Sequence, residues 1–463
     1  MPTKTLPSPL TPQELDELAS LATRILQDLI RLDTSNPPGN EIIAARYLHE
    51  LLAAEGIAGE ILEPEPGRGN VVARLKADTD TATAGKGLLL LSHLDVVPAE
   101  PDKWDVPPFS GEIRDGEVWG RGAIDMKGLA ALEAAIFITV KRRGLALRRD
   151  LVLAATANEE AGGWFGARWI AENRLELVDA DAAINEGGGI GLEFGGKTVY
   201  TVQTAEKAPC PVTVTAHGRP GHASVPSDDN AVVTLSRALV AIGSRRLPPK
   251  ITSSFRGFVE TLAASFGPVL GALARQMLNP QLAEQVIDRV TADPLKTAAF
   301  KAMIRNTATP TIVKAGYKVN VIPGAATAEL DCRLLPGSSP EELVKELEDV
   351  LAAAGLAGTV KLEAARTDAP TLESPFAGEL VERMADAIRT HAAGAPLVPF
   401  LMPGATDGRF LRPKGIPVYG FSPMLPGEPF GNAHGHNERI GLASIRFGAQ
   451  VLWDVITGYC AAG

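Results

Sequence analysis

The chain has 463 residues, of which 45% are apolar and 5% aromatic, and a formal net charge of −10. That length suits two domains with sizeable cores, and the acidic balance argues against nucleic acid, whose phosphates need a basic face. Cys210, Cys332 and Cys460 are too scattered for a disulfide framework or a zinc ribbon and read as reduced, buried thiols. The N-terminal "MPTKTLPSPLTPQELDELAS" lacks the apolar core of a signal peptide, and no apolar run is long enough to span a bilayer. A cytoplasmic protein with no membrane or nucleic-acid partner is the expectation.

Taken in chain order, Thr11 to Leu32 predicts an amphipathic helix, with Thr11 capping it ahead of Pro12. Glu41 to Ala54 predicts a second helix. "NVVARL" and the apolar "GLLLLSHLD" predict strands, the latter buried on both faces. Met126 to Arg143 reads as a helix, "DLVLAATA" as a buried strand, Trp164 to Asn173 as a helix and "DAAINEG" as a short strand. Trp164, Phe165 and Trp169 fit the core-facing side of that helix. This alternation predicts an α/β domain with a mixed, mostly parallel sheet and helices on both faces. Near Thr204 the texture changes. "PCPVTVTAHG" alternates like a half-solvated strand, Ala231 to Arg245 is a helix, and residues 251–306 read as a mostly helical extension. "KVNVIPGAATAELDCRLLPG", the helix Pro340 to Ala354 and "GTVKLEAA" complete an α+β domain. The first texture returns near Ser374. The expected division is 1–205 and 371–463 for one catalytic domain, interrupted by an inserted domain at 206–370.

The chemistry gathers where strands end. "LLLLSHLD" finishes on His93 and Asp95, "GRGAIDMKG" holds Asp125 just before a helix, "LVLAATANEEAGG" ends on Glu159 and Glu160, and "DAAINEGGG" ends on Glu186. "NAHGHNERI" adds His434 and His436. In a parallel sheet the loops after the strands converge on one edge, and carboxylates crowded there repel strongly. One or two divalent cations would relieve that repulsion, and mixed His and carboxylate ligation suits zinc, with cobalt or manganese as alternatives. His93 then reads as a ligand and Asp95 as the group that orients its imidazole. Adjacent glutamates on an extended segment diverge, so one of Glu159 and Glu160 can ligate while the other faces the attacking water.

The blocks "SHLDVVP", "GRGAIDMKG", "ANEEAGG", "INEGG", "GRPGHASVP", "GATDGRF" and "HGHNERI" occur in this order. Together they resemble the signature of the di-zinc hydrolase family that includes aminoacylase, carboxypeptidase G, acetylornithine deacetylase, succinyl-diaminopimelate desuccinylase and the carnosine dipeptidases. The resemblance implies two Zn2+ per chain, with Asp125 bridging, His93 and Glu186 completing one site, and Glu160 and His434 the other. It implies Glu159 as general base and Asp95 as the partner of His93. In the inserted lid and dimerisation domain it implies that His222 polarises the scissile carbonyl, often in the partner subunit's site. Asn320, Arg333 and Arg409 match substrate-contacting positions. The helical extension makes the lid longer than the simplest family pattern, which leaves both a homodimer and a monomer open.

The function expected is hydrolysis of an amide or peptide bond beside a free α-carboxylate, in an N-acyl amino acid or a short peptide. A metal-dependent aminopeptidase and a non-catalytic metal-binding protein are the alternatives. The first would need a group to hold a free amine. The second would have no use for an uncoordinated glutamate.

Overall fold

The computed structural model describes residues 9–78, 85–194, 196–290, 294–366 and 371–462. The chain is a mixed α/β protein that divides into two compact units. One comprises Met1–Thr204, Ser374–Phe400 and Thr406–Gly463; the other comprises Ala205–Glu373 and Leu401–Ala405.

The first unit is organised by a nine-stranded sheet. Four neighbouring strands form its centre: β1 (Leu88–His93), β2 (Leu151–Thr156), β3 (Ala182–Asn185) and β4 (Val418–Gly420). β1 pairs in parallel with β2 and with β3, and β3 in parallel with β4. The strand Asn70–Leu75 runs antiparallel beside β2, so the sheet is mixed. Every residue of β1 and β2 is buried. Leu88 and Leu90 join the main core with the helix α2 (Lys127–Arg142), whereas Leu91 meets Ala167, Ile170 and Leu411 on the other face. That two-sided burial is why β1 reads as an unbroken apolar run. The helix α1 (Pro12–Arg31) begins in a reciprocal cap, with Thr11 Oγ1 accepting from Glu14 N and the Glu14 carboxylate accepting from Thr11 N. It packs on α2 and on the helix α3 (Leu442–Cys460).

The second unit is built on an antiparallel sheet in which Ala325–Leu334 pairs with Val212–His217 and with Thr307–Ala315. Val212, Val214 and Ala216 point into a core shared with the helices Ala231–Ser244 and Pro340–Ala353, while Thr213 and Thr215 alternate with them. Among the described residues the extension forms the α-helices Ser253–Ser265, Pro268–Arg275, Ala283–Val290 and Pro294–Ala302, with Phe258 packed against Phe255 and Phe300. All three cysteines are free and buried. Among the described residues no helix is long and apolar enough to cross a membrane.

Two expectations need correction. The helix expected from Trp164 starts only at Ala167. Gly163 has φ +72°, and a Cβ on Gly166 would lie 1.7 Å from the Ala157 carbonyl, so the chain turns tightly before it can coil. Trp164 therefore sits in the turn, 48% exposed, with the Arg168 guanidinium stacked on its ring at 3.7 Å instead of packing in the core. The strand Thr307–Ala315 has no counterpart among the elements expected from sequence. Pro310 hides it: the register with Ala325–Leu334 shifts between Pro310 and Ile312, the kind of irregularity that lets a proline sit in a strand.

Glu133 stands in the middle of α2, fully buried in the apolar core beside Ser92. Burial pushes its carboxyl well above the ordinary glutamate value of 4.5. The folded chain therefore keeps a proton that the unfolded chain releases, and stability should fall as pH rises above that ordinary value, by at most about 1.4 kcal/mol per pH unit for one group. Glu133→Gln should remove this slope. Its melting temperature relative to wild type should rise between pH 5 and pH 8; an offset equal at both pH values would show that the carboxyl is not held neutral.

Candidate metal centre

His93 is the last residue of β1 and is 1% exposed. Its Nδ1 lies 3.0 Å from the Asp95 backbone carbonyl and 3.6 Å from the Asp95 carboxylate. The orienting contact thus runs through the main chain more closely than through the Asp95 side chain. The carboxylate is engaged elsewhere: it accepts from the backbone N–H groups of Glu159 at 3.0 Å and Glu160 at 3.1 Å, and from Asn36 Nδ2 at 2.7 Å.

Those bonds shape the segment after β2. Glu159 to Ala161 form a single 3-10 turn, not an extended stretch, entered through Asn158 at φ +67°. Asparagine tolerates that left-handed backbone better than most residues. The buried Glu41 carboxylate, paired with Arg68, accepts the Asn158 N–H at 3.1 Å. On this turn the two glutamates still part company. Glu160 approaches His434, and Glu159 faces Arg409, whose Nη1 is 3.8 Å away. Glu186 follows β3 directly. Its carbonyl lies where a Cβ on Gly420 would be, at 1.9 Å, so β4 can pass only with glycine there.

The side chains converge in two groups of three that share Asp125. His93 Nε2 is 3.2 Å from Asp125 Oδ1 and 3.5 Å from Glu186 Oε1. His434 Nε2 is 3.0 Å from Asp125 Oδ2 and 3.4 Å from Glu160 Oε2. Within each group the ligand atoms lie inside 4.8 Å of one another, a spacing that could hold a metal ion. His436 belongs to neither; its Nε2 is 2.9 Å from Glu100 Oε2.

The electrostatics also fit a cation pair. Burial, then the Asp125 charge, pushes Glu186 up to about 8. Burial likewise raises Glu159 well above its ordinary value, with Glu186 and Asp407 adding to it and His93 and Arg409 opposing. Asp125 goes the other way: against the cost of burial, His434 and His93 hold its carboxyl well below the usual range. The same contacts, with Asp125 and then Glu160, lift His434 to about 10. The cluster on its own must therefore bind extra protons, and Glu160 Oε1 is buried without a hydrogen-bond partner. Divalent cations between these groups would do the work of those protons.

Sequence reasoning missed several supports. Glu438 is fully buried and accepts from the backbone N–H groups of Gly122, Ile124 and Asp125 and from Arg121 Nη1. Its place four residues after His434 was the available signal. Asp407, two residues before Arg409, accepts from Thr156 Oγ1 at 3.0 Å, and burial raises it to about 6.

The remaining predicted residues lie in the second unit. His222 is exposed, on a two-residue strand paired with Val321–Ile322; its Nδ1 lies 2.7 Å from Ser224 Oγ. Asn320 is beside it, its carbonyl accepting from Ala223 N at 3.0 Å. Arg333 is not brought to that pair. It sits near the far end of the strand that starts at Ala325, about 27 Å along at the usual rise per residue, and binds Asp331 through Nε and Nη2.

A family-wide sequence description, "Peptidase family M20/M25/M40", matches residues 89–457. The chain is 31% identical over 383 residues to the N-fatty-acyl-amino acid synthase/hydrolase PM20D1 of Xenopus tropicalis, covering 80% of this chain and 71% of that one. It is 26% identical over 419 residues to aminoacylase-1 of Mus musculus, covering 90% of each. Among solved structures, the M20 family metallo-carboxypeptidase Sso-CP2 of Sulfolobus solfataricus superposes with a TM-score of 0.68 at 20% identity, covering 95% of this chain and 99% of that one.

His434 and His436 separate the alternatives for the C-terminal block. His434→Ala should remove about half of the bound metal, since it strips one of the two groups of a ligand, and His436→Ala should leave the metal content unchanged. Elemental analysis of the purified variants decides it, and the reverse pattern would transfer the ligand role to His436.

Proposed function

The chain belongs to peptidase family M20/M25/M40, and from that premise we propose that it is a two-zinc amidohydrolase acting on N-acyl amino acids or short peptides with a free α-carboxylate. The observation that carries this reading is the pair of three-residue ligand groups sharing Asp125, with Glu159 beside them and in neither. The two sequence relatives, an N-fatty-acyl-amino acid synthase/hydrolase and an aminoacylase, support the substrate class.

His93, Asp125 and Glu186 would hold one ion and Asp125, Glu160 and His434 the other. Zinc suits this mixture of imidazole and carboxylate, with cobalt or manganese as substitutes. Bound there, the cations supply Lewis-acid polarisation of the scissile carbonyl and a lowered pKa for the attacking water. The rest falls to the chain's own side chains. Glu159 takes the proton as the water oxygen bonds to the carbonyl carbon. It returns that proton to the amine nitrogen as the C–N bond breaks. Asp95 fixes the height of Glu159 by holding its N–H, and Arg409 fixes its direction. Arg409 is also a guanidinium suited to the substrate carboxylate, since its planar fork donates to two oxygens at once. His222 would polarise the carbonyl from the second unit, in a homodimer that supplies it from the partner.

Glu159→Gln keeps shape and hydrogen bonding but accepts no proton. Turnover should fall by about a hundredfold or more, with metal content unchanged. Loss of metal in this variant would exchange the roles of Glu159 and Glu160.

The dimer makes a separate demand. Glu159→Ala and His222→Ala homodimers should each be nearly inactive. Subunit exchange between them should restore about a quarter of all sites, because half of the dimers are mixed and each mixed dimer has one complete site. No recovery, with a monomeric mass in solution, would reject supply in trans.

A further inference from the structure

We propose that the buried Arg121–Glu438 pair is a positioning device that sets the distance between Asp125 and His434, so that the group Asp125, Glu160 and His434 is assembled before any cation arrives. The inference rests on the two-metal reading above and concerns how one of its two sites is built.

The pair is enclosed, with side-chain exposures of 2% and 0% and Nη1 2.8 Å from Oε2. Glu438 Oε1 accepts from Ile124 N at 2.8 Å and Asp125 N at 3.0 Å, and Oε2 accepts from Gly122 N at 2.9 Å. With Arg121 these bonds use all of the roughly four acceptor positions of a carboxylate. Arg121 turns the other way. Nη1 donates to the Ala433 carbonyl at 2.6 Å and Nη2 to the Gly435 carbonyl at 2.7 Å, one on each side of His434. The pair therefore grips the peptide N–H of one ligand and both neighbours of another.

The strands beneath it fix its register. Arg439–Gly441 pairs antiparallel with Glu117–Trp119, Arg439 opposite Trp119, and Gly120 N donates to the Glu438 carbonyl at 3.0 Å. Arg121 and Glu438 are thus delivered to each other by the small sheet, independently of the large one. His93 and Glu186, the other partners of Asp125, come from the end of β1 and the residue after β3. The contacts of Glu438 include neither.

A buried ion pair is a poor way to gain stability, because desolvation offsets most of the attraction and an apolar pair of similar size often does as well. A fixed geometry is what such a pair supplies better than an apolar one. It also answers the exposure of His434, whose side chain is 59% exposed in a loop that contains Gly431 and Gly435. Without the two carbonyl anchors that loop would have to be ordered on binding, which lowers affinity.

The consequence is selective. Metal-free protein titrated with Co2+ should show two binding events in wild type, and His434→Ala identifies which one belongs to the second group. Glu438→Gln puts an amide where three N–H donors point, and Arg121→Lys leaves one nitrogen in place of the two that reach the Ala433 and Gly435 carbonyls. Each should weaken that event by about 10- to 100-fold, the usual effect of altering a ligand's supporting partner. The other event, which keeps His93 and Glu186 and shares only Asp125, should weaken less. The visible absorption of Co2+ should change most for the weakened event, and a loss of fold would not mimic that. If Glu438→Gln does not fold, Arg121→Lys carries the comparison. Wild-type affinities and spectra for both events in folded variants would overturn the proposal, as would equal weakening of both. Failure of wild-type protein to bind Co2+ at all would instead remove the two-metal reading on which the proposal stands.

Discussion

The mutual repulsion of carboxylates in a poorly hydrated place is the constraint on which the rest depends. Asp125 lies within reach of two imidazoles, Glu186 of His93 and Glu160 of His434, and Glu159 is beside them. Nothing in a folded core tolerates such a cluster for free. The surrounding structure responds in two ways. It places N–H donors and guanidinium groups behind the acids, and it leaves their ligand atoms pointing at one another. Asp95 and Glu438 are the clearest cases of the first. Both are fully buried carboxylates that bind no ligand atom and hold backbone N–H groups instead. The site is thus two layers of acid, an outer one satisfied by the main chain and an inner one left for cations.

Much of this was legible because strand ends are legible. The apolar runs of β1 and β2 and the polar residues that terminate them place His93, Glu159 and Glu160 with no knowledge of side-chain contacts. The α/β class followed from the same alternation, and α1 announced itself through Thr11, Pro12 and Glu14. What could not be read was anything set by long-range packing. Glu438 stands four residues after His434, which marks it as near the site, but its hold on the Asp125 loop spans more than three hundred positions and cannot be read locally. Arg121 reads as an ordinary member of a glycine-rich block. The conformation of Glu159 and Glu160 was expected to be extended; the Asp95 carboxylate and the left-handed Asn158 decide for a 3-10 turn, and both act from outside the segment. Trp164 shows the same limit from the other side, because the backbone approach that delays its helix is that of Gly166 to the Ala157 carbonyl.

Burial without pairing recurs beside the candidate site. Lys127 is fully buried at the start of α2, donating to the carbonyls of Leu29 and Leu32 at 2.9 Å each, and burial lowers it to about 7. These carbonyls lie at the end of α1, where the Leu32 N–H also turns back onto the Leu29 carbonyl. The lysine is therefore a joint between two helices, placed two residues after Asp125. Helix packing and the loop that presents Asp125 are parts of one assembly.

The strand Thr307–Ala315 carries a last consequence. Among the described residues it pairs only with Ala325–Leu334, so its other side is an edge, with Ile312 and Val313 about half exposed. An uninterrupted apolar edge invites unrelated chains to add strands and grow into fibrils. Pro310 breaks the row of donors, the register shift bends it, and Lys314 adds a charge nearby. The irregularity that hid this strand from sequence reading also makes its edge a poorer template for an added strand.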